Sequence, residues 1–373
     1  MKQLILLFII LLMANGCQPK QEDALFKKVN YSTDRSSTVN LSQLMTDNVT
    51  FTPLETRDES IIGKINKIRK NRGHFYILSN DQWILHFDER GKFVSVLNKR
   101  GGGPDEYSYI NDFDIYTIDG KAEIWIADNQ TIKIYNTEDW TFQKKLSFPL
   151  IINKFRRISK EEILIMSGQN EKSLFIASEE GEIKQSFLEK EIPYLLFRAV
   201  QFKQDQQNSY YFQLGVSNQY VAYHANTHSF EYGSFFGTNN LLTADMLKDL
   251  FDKYGQSFIA YFKDYDHIQS FMSANGNTWF YIKSRGKNIL TKVNHEQSVS
   301  AEINPSATIK NDLFNVDEFD FLTTLGFGES DDDGLLLYID PSSLPDNVNQ
   351  ITTAKGQTIP ATKEDNPIII EFF

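Results

Sequence analysis

The stretch with most chemical promise is Arg100-Gly101-Gly102-Gly103-Pro104-Asp105-Glu106-Tyr107, followed closely by Tyr109 and by two acids one position apart, Asp112 and Asp114. Three successive glycines open backbone paths closed to other residues, and Pro104 then fixes φ. The stretch is not a phosphate loop, because the required spacing and the Lys-Ser/Thr pair are missing. It reads first as a connection between two structural repeats. If it faces an opening instead, Arg100, Asp105, Glu106 and Tyr107 supply charge and a stacking ring, which makes it the best binding candidate in the chain. Trp83 and Tyr109 are rings of the kind that stack sugars or peptides at such an opening, or that pack at a rim. Asp112 and Asp114 are the candidate metal ligands: a ring of carboxylates lining a channel could gather around a hard cation such as calcium.

Other constellations are weaker. His224 and His228 have a metal-pair spacing, but Asn226-Thr227 between them reads as a hairpin turn, and no zincin glutamate accompanies them. Asp331-Asp332-Asp333-Gly334 resembles a calcium turn without the twelve-residue EF-hand pattern. There is no Gly-x-Ser-x-Gly elbow and no assignable nucleophile–base pair. No catalytic residue is assigned, and no cofactor beyond that calcium is expected.

Cys17 has a different chemistry. One lysine precedes an unbroken apolar run from Leu4 to Met13, then Ala14 and Gly16 lead into Cys17. That run is too short to span a bilayer of ~30 Å and suits a signal-peptide core. A basic start, an apolar core and small residues ending at a cysteine form a lipobox, so cleavage is expected before Cys17 and lipid on its sulfur. It is the only cysteine of the 373 residues, which excludes a disulfide within the chain. Several acyl chains, at ~0.8 kcal/mol per buried CH₂, give a stable anchor. Residues 1–16 are thus the expected signal peptide and 17–38 a lipidated tether. Lys20, Glu22 and Asp23 in that tether resemble acidic signals that send lipoproteins to the outer face of an outer membrane. The formal charge is −11, and removal of Lys2 makes it more acidic still. That balance argues against nucleic acid as a partner.

The elements that must position these residues repeat. Six β-rich runs recur at intervals of roughly 40–70 residues: Phe75–Leu78, Ile124–Ala127, Ile163–Met166, Tyr210–Gln213, Trp279–Ile282 and Leu335–Tyr338. Apolar runs this short, bounded by turn signals, fit strands buried on both faces. A strand-turn-strand segment follows most of them. In the first, Asp88-Glu89-Arg90-Gly91 carries glycine where a turn needs positive φ. Segments such as Ile65-x-x-Ile68, Ile110-x-x-Phe113 and Phe155-x-x-Ile158 precede them as candidate innermost strands. Four short strands per repeat bury their faces only against neighbours, so the repeats close into a ring. The expected fold is all-β: a six-bladed β-propeller over residues 39–373. Val49–Leu54 and Ile368–Phe373, from opposite ends of the chain, should share a blade. Leu241 to Phe262 breaks the pattern as a small helical insertion between blades four and five, with Asn239, Asn240 and Thr243 as candidate caps.

Several tokens carry a resemblance: Leu54-Glu55-Thr56, Ile61-Ile62-Gly63-Lys64-Ile65, Phe87-Asp88 with Gly91-Lys92-Phe93, Gly101 to Tyr107, and Glu364-Asp365-Asn366-Pro367-Ile368. Together they resemble the six-bladed β-propeller lipoproteins of Gram-negative bacteria, related in architecture to NHL-repeat propellers. Asp105 departs from the usual pattern, which has glycine there. The resemblance implies a fold and a cell-envelope location, and it brings no catalytic residues.

Two functions fit. The first is a non-catalytic lipoprotein, held to an outer membrane by its lipid and binding a glycan, a peptide or an envelope protein. The second is a cation-dependent hydrolase or lyase with its site at the channel mouth. Converging Asp, His and Glu at one mouth would favour the enzyme, and an aromatic mouth would favour binding.

Overall fold

A computed structural model describes residues 38–189, 203–204, 209–213, 216–235, 240–274, 276–294, 298–303, 309–316, 328–330 and 334–373. Cys17, the signal peptide, the tether to residue 37 and Asp331 to Asp333 lie outside the described residues.

The six recurrent runs each form the second strand of a four-stranded antiparallel sheet. Blade 1 consists of Ile65–Asn71, His74–Ser79, Trp83–Phe87 and Phe93–Leu97. Blade 2 consists of Asp112–Ile118, Lys121–Asp128, Thr131–Asn136 and Phe142–Ser147, and blade 3 of Lys154–Arg157, Glu162–Met166, Lys172–Ser178 and Ile183–Glu189. Blade 4 has Lys203–Gln204, Ser209–Gln213, Gln219–His224 and Ser229–Ser234, and blade 5 has His267–Ala274, Asn277–Ser284, Lys287–Val293 and Ser298–Glu302. The six sheets form a propeller ring. Second strands are buried over most of their length, as in Ile163–Met166 and Leu335–Leu337, because neighbouring blades cover both faces. Each such aliphatic or aromatic side chain stabilises by ~1.5–3 kcal/mol on burial. The outermost strands of blades 2 and 3, Phe142–Ser147 and Ile183–Glu189, expose most of their residues.

Blade 6 is built from both ends of the chain. Gly328–Ser330 and Leu335–Ile339 pair onward to Ile368–Phe372, and Val49–Pro53 completes the sheet by antiparallel pairing with that C-terminal strand. The expected closure is therefore present. Gly328–Ser330 also pairs in parallel with the innermost strand of blade 1, through Glu329 opposite Arg69. The seam is reinforced by the buried pair Lys70–Glu371, with Nζ 2.8 and 2.9 Å from the two carboxylate oxygens. Gly91 belongs to the same junction. It has φ +77°, and a Cβ there would meet the Pro53 carbonyl oxygen at 2.1 Å. Only glycine allows blade 1's outer hairpin this close to blade 6.

The N-terminus adds a strap ahead of Val49. Val39–Asn40 pairs in parallel with Ile309–Lys310, and the short helix Leu41–Leu44 buries Leu41 and Leu44 in the core between blades 5 and 6. The Trp279 indole N–H donates to Leu44 O at 2.9 Å. Neither the strap nor the small hairpin Gln350–Thr352/Thr358–Pro360 inside blade 6 was expected from the sequence.

The helical insertion runs from Ala244 to Tyr254 as α-helix and from Gly255 to Asp264 as 3₁₀-helix. Thr243 is its N-cap, accepting from the Met246 N–H at 3.2 Å. It lies between the fourth and fifth sheets counted from Ile65, or the fifth and sixth if the sheet holding Val49–Pro53 is counted first.

Candidate functional site

Strand directions sort the connections onto two faces of the ring. Segments leading into each innermost strand share one face, the entry face, with the hairpins between second and third strands. The loop from residue 98 to 111 and the insertion, described from residue 240 to 266, both lie there, as does the tight hairpin around Asp81.

The glycine-rich loop is knitted to blade 2. The Glu106 carboxylate folds back to accept the Gly103 N–H at 2.7 Å, and it packs so close to Gly101 that a Cβ there would meet it at 1.9 Å. Lys133 donates to Glu106 O and to Asp128 Oδ2, and the Tyr135 hydroxyl donates to Asp105 O. Ser108 Oγ donates to Asp128 Oδ1 at 2.7 Å. Burial raises the Asp128 carboxyl, but these bonds and the Lys133 charge hold it below its usual range.

Tyr107, offered above as a stacking ring, is fully buried between blades 1 and 2. Its hydroxyl donates to Leu97 O at 3.1 Å, and burial pushes the phenol to about 12. Trp83 is half-buried against the core of blade 1. Of the candidate binding residues, Arg100 is exposed and Tyr109 presents 45% of its surface. Partial burial and the hydrogen bond to Asp81 both raise the Tyr109 phenol. The loop is a structural crossover that leaves Tyr109 and Arg100 at the surface of the entry face.

Asp112 and Asp114 lie on the innermost strand of blade 2 and are both 1% exposed. Lys67 of blade 1 donates to Asp112 Oδ1 at 2.7 Å and to Phe113 O at 2.6 Å. The Phe155 N–H of blade 3 donates to Asp112 Oδ2 at 3.2 Å. Arg69 reaches Asp114 at 2.8 Å, and Arg156 of blade 3 stands 3.8 Å from Asp112 and 3.5 Å from Asp114. Burial raises both carboxyls. Lys67, Lys154 and Arg156 for Asp112, and Arg69, Arg156 and Lys67 for Asp114, outweigh it and hold both below the usual carboxylate range. The cations these acids face are the protein's own, and they tie three blades together. Among the described residues no group of three or more His, Cys, Asp or Glu gathers as a metal site. His224 and His228 do not converge either: His224 bonds Ser209 Oγ at 2.8 Å, and His228 bonds the Tyr223 hydroxyl at 3.1 Å.

Sequence reasoning did not anticipate the cationic partners of this seam. The signal was there, since Lys67-x-Arg69, Asp112-x-Asp114 and Lys154-x-Arg156 place charges two apart on three successive innermost strands. It also did not anticipate an aromatic surface on the insertion. Tyr254 and Tyr261 stack at 3.7 Å with rings 14° apart, and Lys253 lies 5.0 Å over Tyr254. The Tyr254 hydroxyl, with Tyr261 and Tyr265 nearby, raises the Lys253 ammonium pKa. Phe251, Tyr254, Tyr261, Phe262 and Tyr265 are half-exposed around a small core of Leu242, Leu247, Leu250 and Phe258.

Six four-stranded sheets closed by a strand from each terminus define the molecule as a six-bladed β-propeller. The chain belongs to the family described as Domain of unknown function (DUF4934), whose model matches residues 26–372. Among solved structures it is similar to a candidate exported protein of Bacteroides fragilis NCTC 9343, at 14% identity and TM-score 0.70, over 92% of this chain and 98% of that one. That likeness shows a shared fold. A protein of unknown function from Bacteroides caccae is more distant, at 8% identity and TM-score 0.40, over 64% of this chain and 81% of that one. No curated protein matches. Among the described residues no helix is long and apolar enough to cross a membrane.

Proposed function

We propose that this chain is an envelope lipoprotein, anchored through Cys17 to an outer membrane, whose propeller binds a glycan, a peptide or an envelope protein on its entry face without catalysing a reaction. The NHL-like architecture suggested by its sequence tokens is part of the same reading. The observation that carries it is the placement of two long connections on one face. The loop bearing Tyr109 and Arg100 and the insertion bearing Tyr254 and Tyr261 both stand there. Rings with hydroxyl tips, next to cationic side chains, suit sugars and peptides, because each ring covers apolar surface while its hydroxyl keeps a hydrogen bond. The fold of an exported Bacteroides protein supports an envelope address. The hydrolase or lyase alternative needs channel carboxylates open to a cation, and Asp112 and Asp114 are instead engaged by Lys67, Arg69 and Arg156.

Thermal shift of the full chain in detergent, against envelope glycans, peptides and divalent cations, tests this reading. A ligand at 100 times its Kd stabilises by ~2.7 kcal/mol. The shift should vanish in Tyr109→Ala combined with Tyr261→Ala. Stabilisation by calcium that is lost in Asp114→Asn would replace the binding reading with the enzymatic one. Cys17→Ser should release the chain from the membrane fraction, and retention would remove the anchor from the proposal.

A further inference from the structure

Two histidines of blade 1 meet on the face opposite the loops described above. His74 opens the second strand, His86 lies in the third, and His74 Nδ1 is 2.8 Å from His86 Nε2. One ring nitrogen must donate and the other accept, so the contact survives with one proton on the pair beyond its neutral state and not with two. His86 is 6% exposed. Its ring lies flat on Tyr76, at 4.4 Å and 8°, and faces the edge of Trp140 at 6.1 Å and 80°. Trp140 comes from blade 2, is 8% exposed, and has φ +56°. A bulky residue in that left-handed region is strained, and it stays there only while its packing holds. Its indole N–H is buried without a hydrogen-bond partner.

The groups around His86 do little to welcome a second charge. On its own strand's end stands Asp88, which favours the protonated ring. The second strand presents His74 and Tyr76. The fourth presents Ser95, whose Oγ is 3.5 Å from His86 Nδ1. Blade 2 presents neutral Trp140 and Thr137, the latter bonded to the Tyr76 hydroxyl. Glu138 and Asp139 of that turn are exposed, and so are Arg72 and Glu89 beside the turn that leads into His74.

We propose that the His74–His86 pair is a proton-operated latch between blades 1 and 2, closed while His86 is neutral and opened when both rings are protonated, freeing Trp140 and its turn. Burial first, and then the His74 charge, hold His86 at about 4 against an ordinary 6.5, with Asp88 pulling weakly the other way. The folded pKa is depressed, so the interface has its full stability above the unfolded value of 6.5. That stability drains as pH falls, and the loss is complete below about 4. By that linkage the open state gains about 30-fold at pH 5 and roughly 300-fold in the acid limit.

The test is amide hydrogen exchange on the full chain in detergent at pH 7 and pH 5, corrected for intrinsic rates. Imidazole titration by NMR of carbon-labelled histidine runs alongside. The latch predicts about 30-fold more open state, read as faster exchange, in segments 74–97 and 131–147, with blade 5 unchanged, and one imidazole titrating near 4. His86→Phe should keep the stack on Tyr76 and abolish the pH dependence. Acceleration that persists in His86→Phe, or that spreads equally to blade 5, overturns the proposal. So does a His86 ring titrating near 6.5 in the unaltered chain, a readout that holds even if the variant fails to fold.

Discussion

Blades 1 to 3 meet beside the channel through charge, whereas blades 4 and 5 meet through rings. In the first seam, Asp112 takes bonds from Lys67 of blade 1 and Phe155 of blade 3, while Asp114 faces Arg69 and Arg156. In the second, Phe235 contacts Tyr220, Phe271 and Phe280 with centroids 5.0 to 5.1 Å apart. A polar tie there is Gln213, whose amide donates to Ser217 O and Ile268 O at 2.8 Å each. Charged contacts are directional and costly to leave half-made, so they fix how three blades are set against one another. Aromatic contacts give more energy per residue and tolerate changes of shape.

Deleting one charge should therefore have the largest effect. Asp112→Ala leaves Lys67 without its carboxylate partner in a buried site, with Asp114 alone to balance the neighbouring cations, and should cost about 3–5 kcal/mol in denaturant unfolding. Phe235→Ala should follow closely, at about 3–4 kcal/mol, through the cavity it opens. The conservative exchanges should then separate the seams. Phe235→Leu should recover most of its loss, whereas Asp112→Asn should recover little, because Lys67 still lacks its carboxylate partner and Asp114 alone is left to balance Arg69 and Arg156. Equal recovery at both positions would mean that the two seams do not differ in kind.

Acid should act on the charged seam by a smaller amount. Both carboxyls are held below their ordinary 3.8, so the stability they contribute is present above that value and drains as pH falls below it. Both carboxylates should have lost part of that contribution by pH 3. Stability curves of Asp112→Asn and the unaltered chain, compared between pH 5 and pH 3, should converge as the pH falls; parallel curves would mean the seam carries no charge-linked stability. The smallest effect belongs to neither seam. Tyr109→Ala, at a surface position, should change the melting midpoint by less than about 0.5 kcal/mol equivalent, which keeps it usable as a probe of binding.

The blade pattern was legible because the buried middle of each second strand is mostly apolar. Phe75–Leu78 and Ile163–Met166 therefore stand out, and so do the complementary strands at the two termini. Positive φ at Gly91 could be expected from its place in an Asp-x-x-Gly turn. Lys203–Gln204 and Gly328–Ser330 escaped notice because strands of two or three residues hold too little pattern to read, and their pairing comes from neighbours already in place.

The sequence by itself determined the repeat, the number of blades, the closing strands and the helical insertion, because hydrophobic periodicity and turn chemistry act over a few residues. Only the tertiary structure decided the roles of the polar residues. Asp112 and Asp114 could have held a metal, and they hold Lys67, Arg69 and Arg156, because ring closure brings three innermost strands within bonding distance. Tyr107 and Tyr109 are two residues apart and alike in chemistry. One is sealed between blades and the other stands at the surface, since the loop that carries them is not a regular strand, whose residues two apart would share a face, and only its path against the neighbouring blade determines which ring is inside.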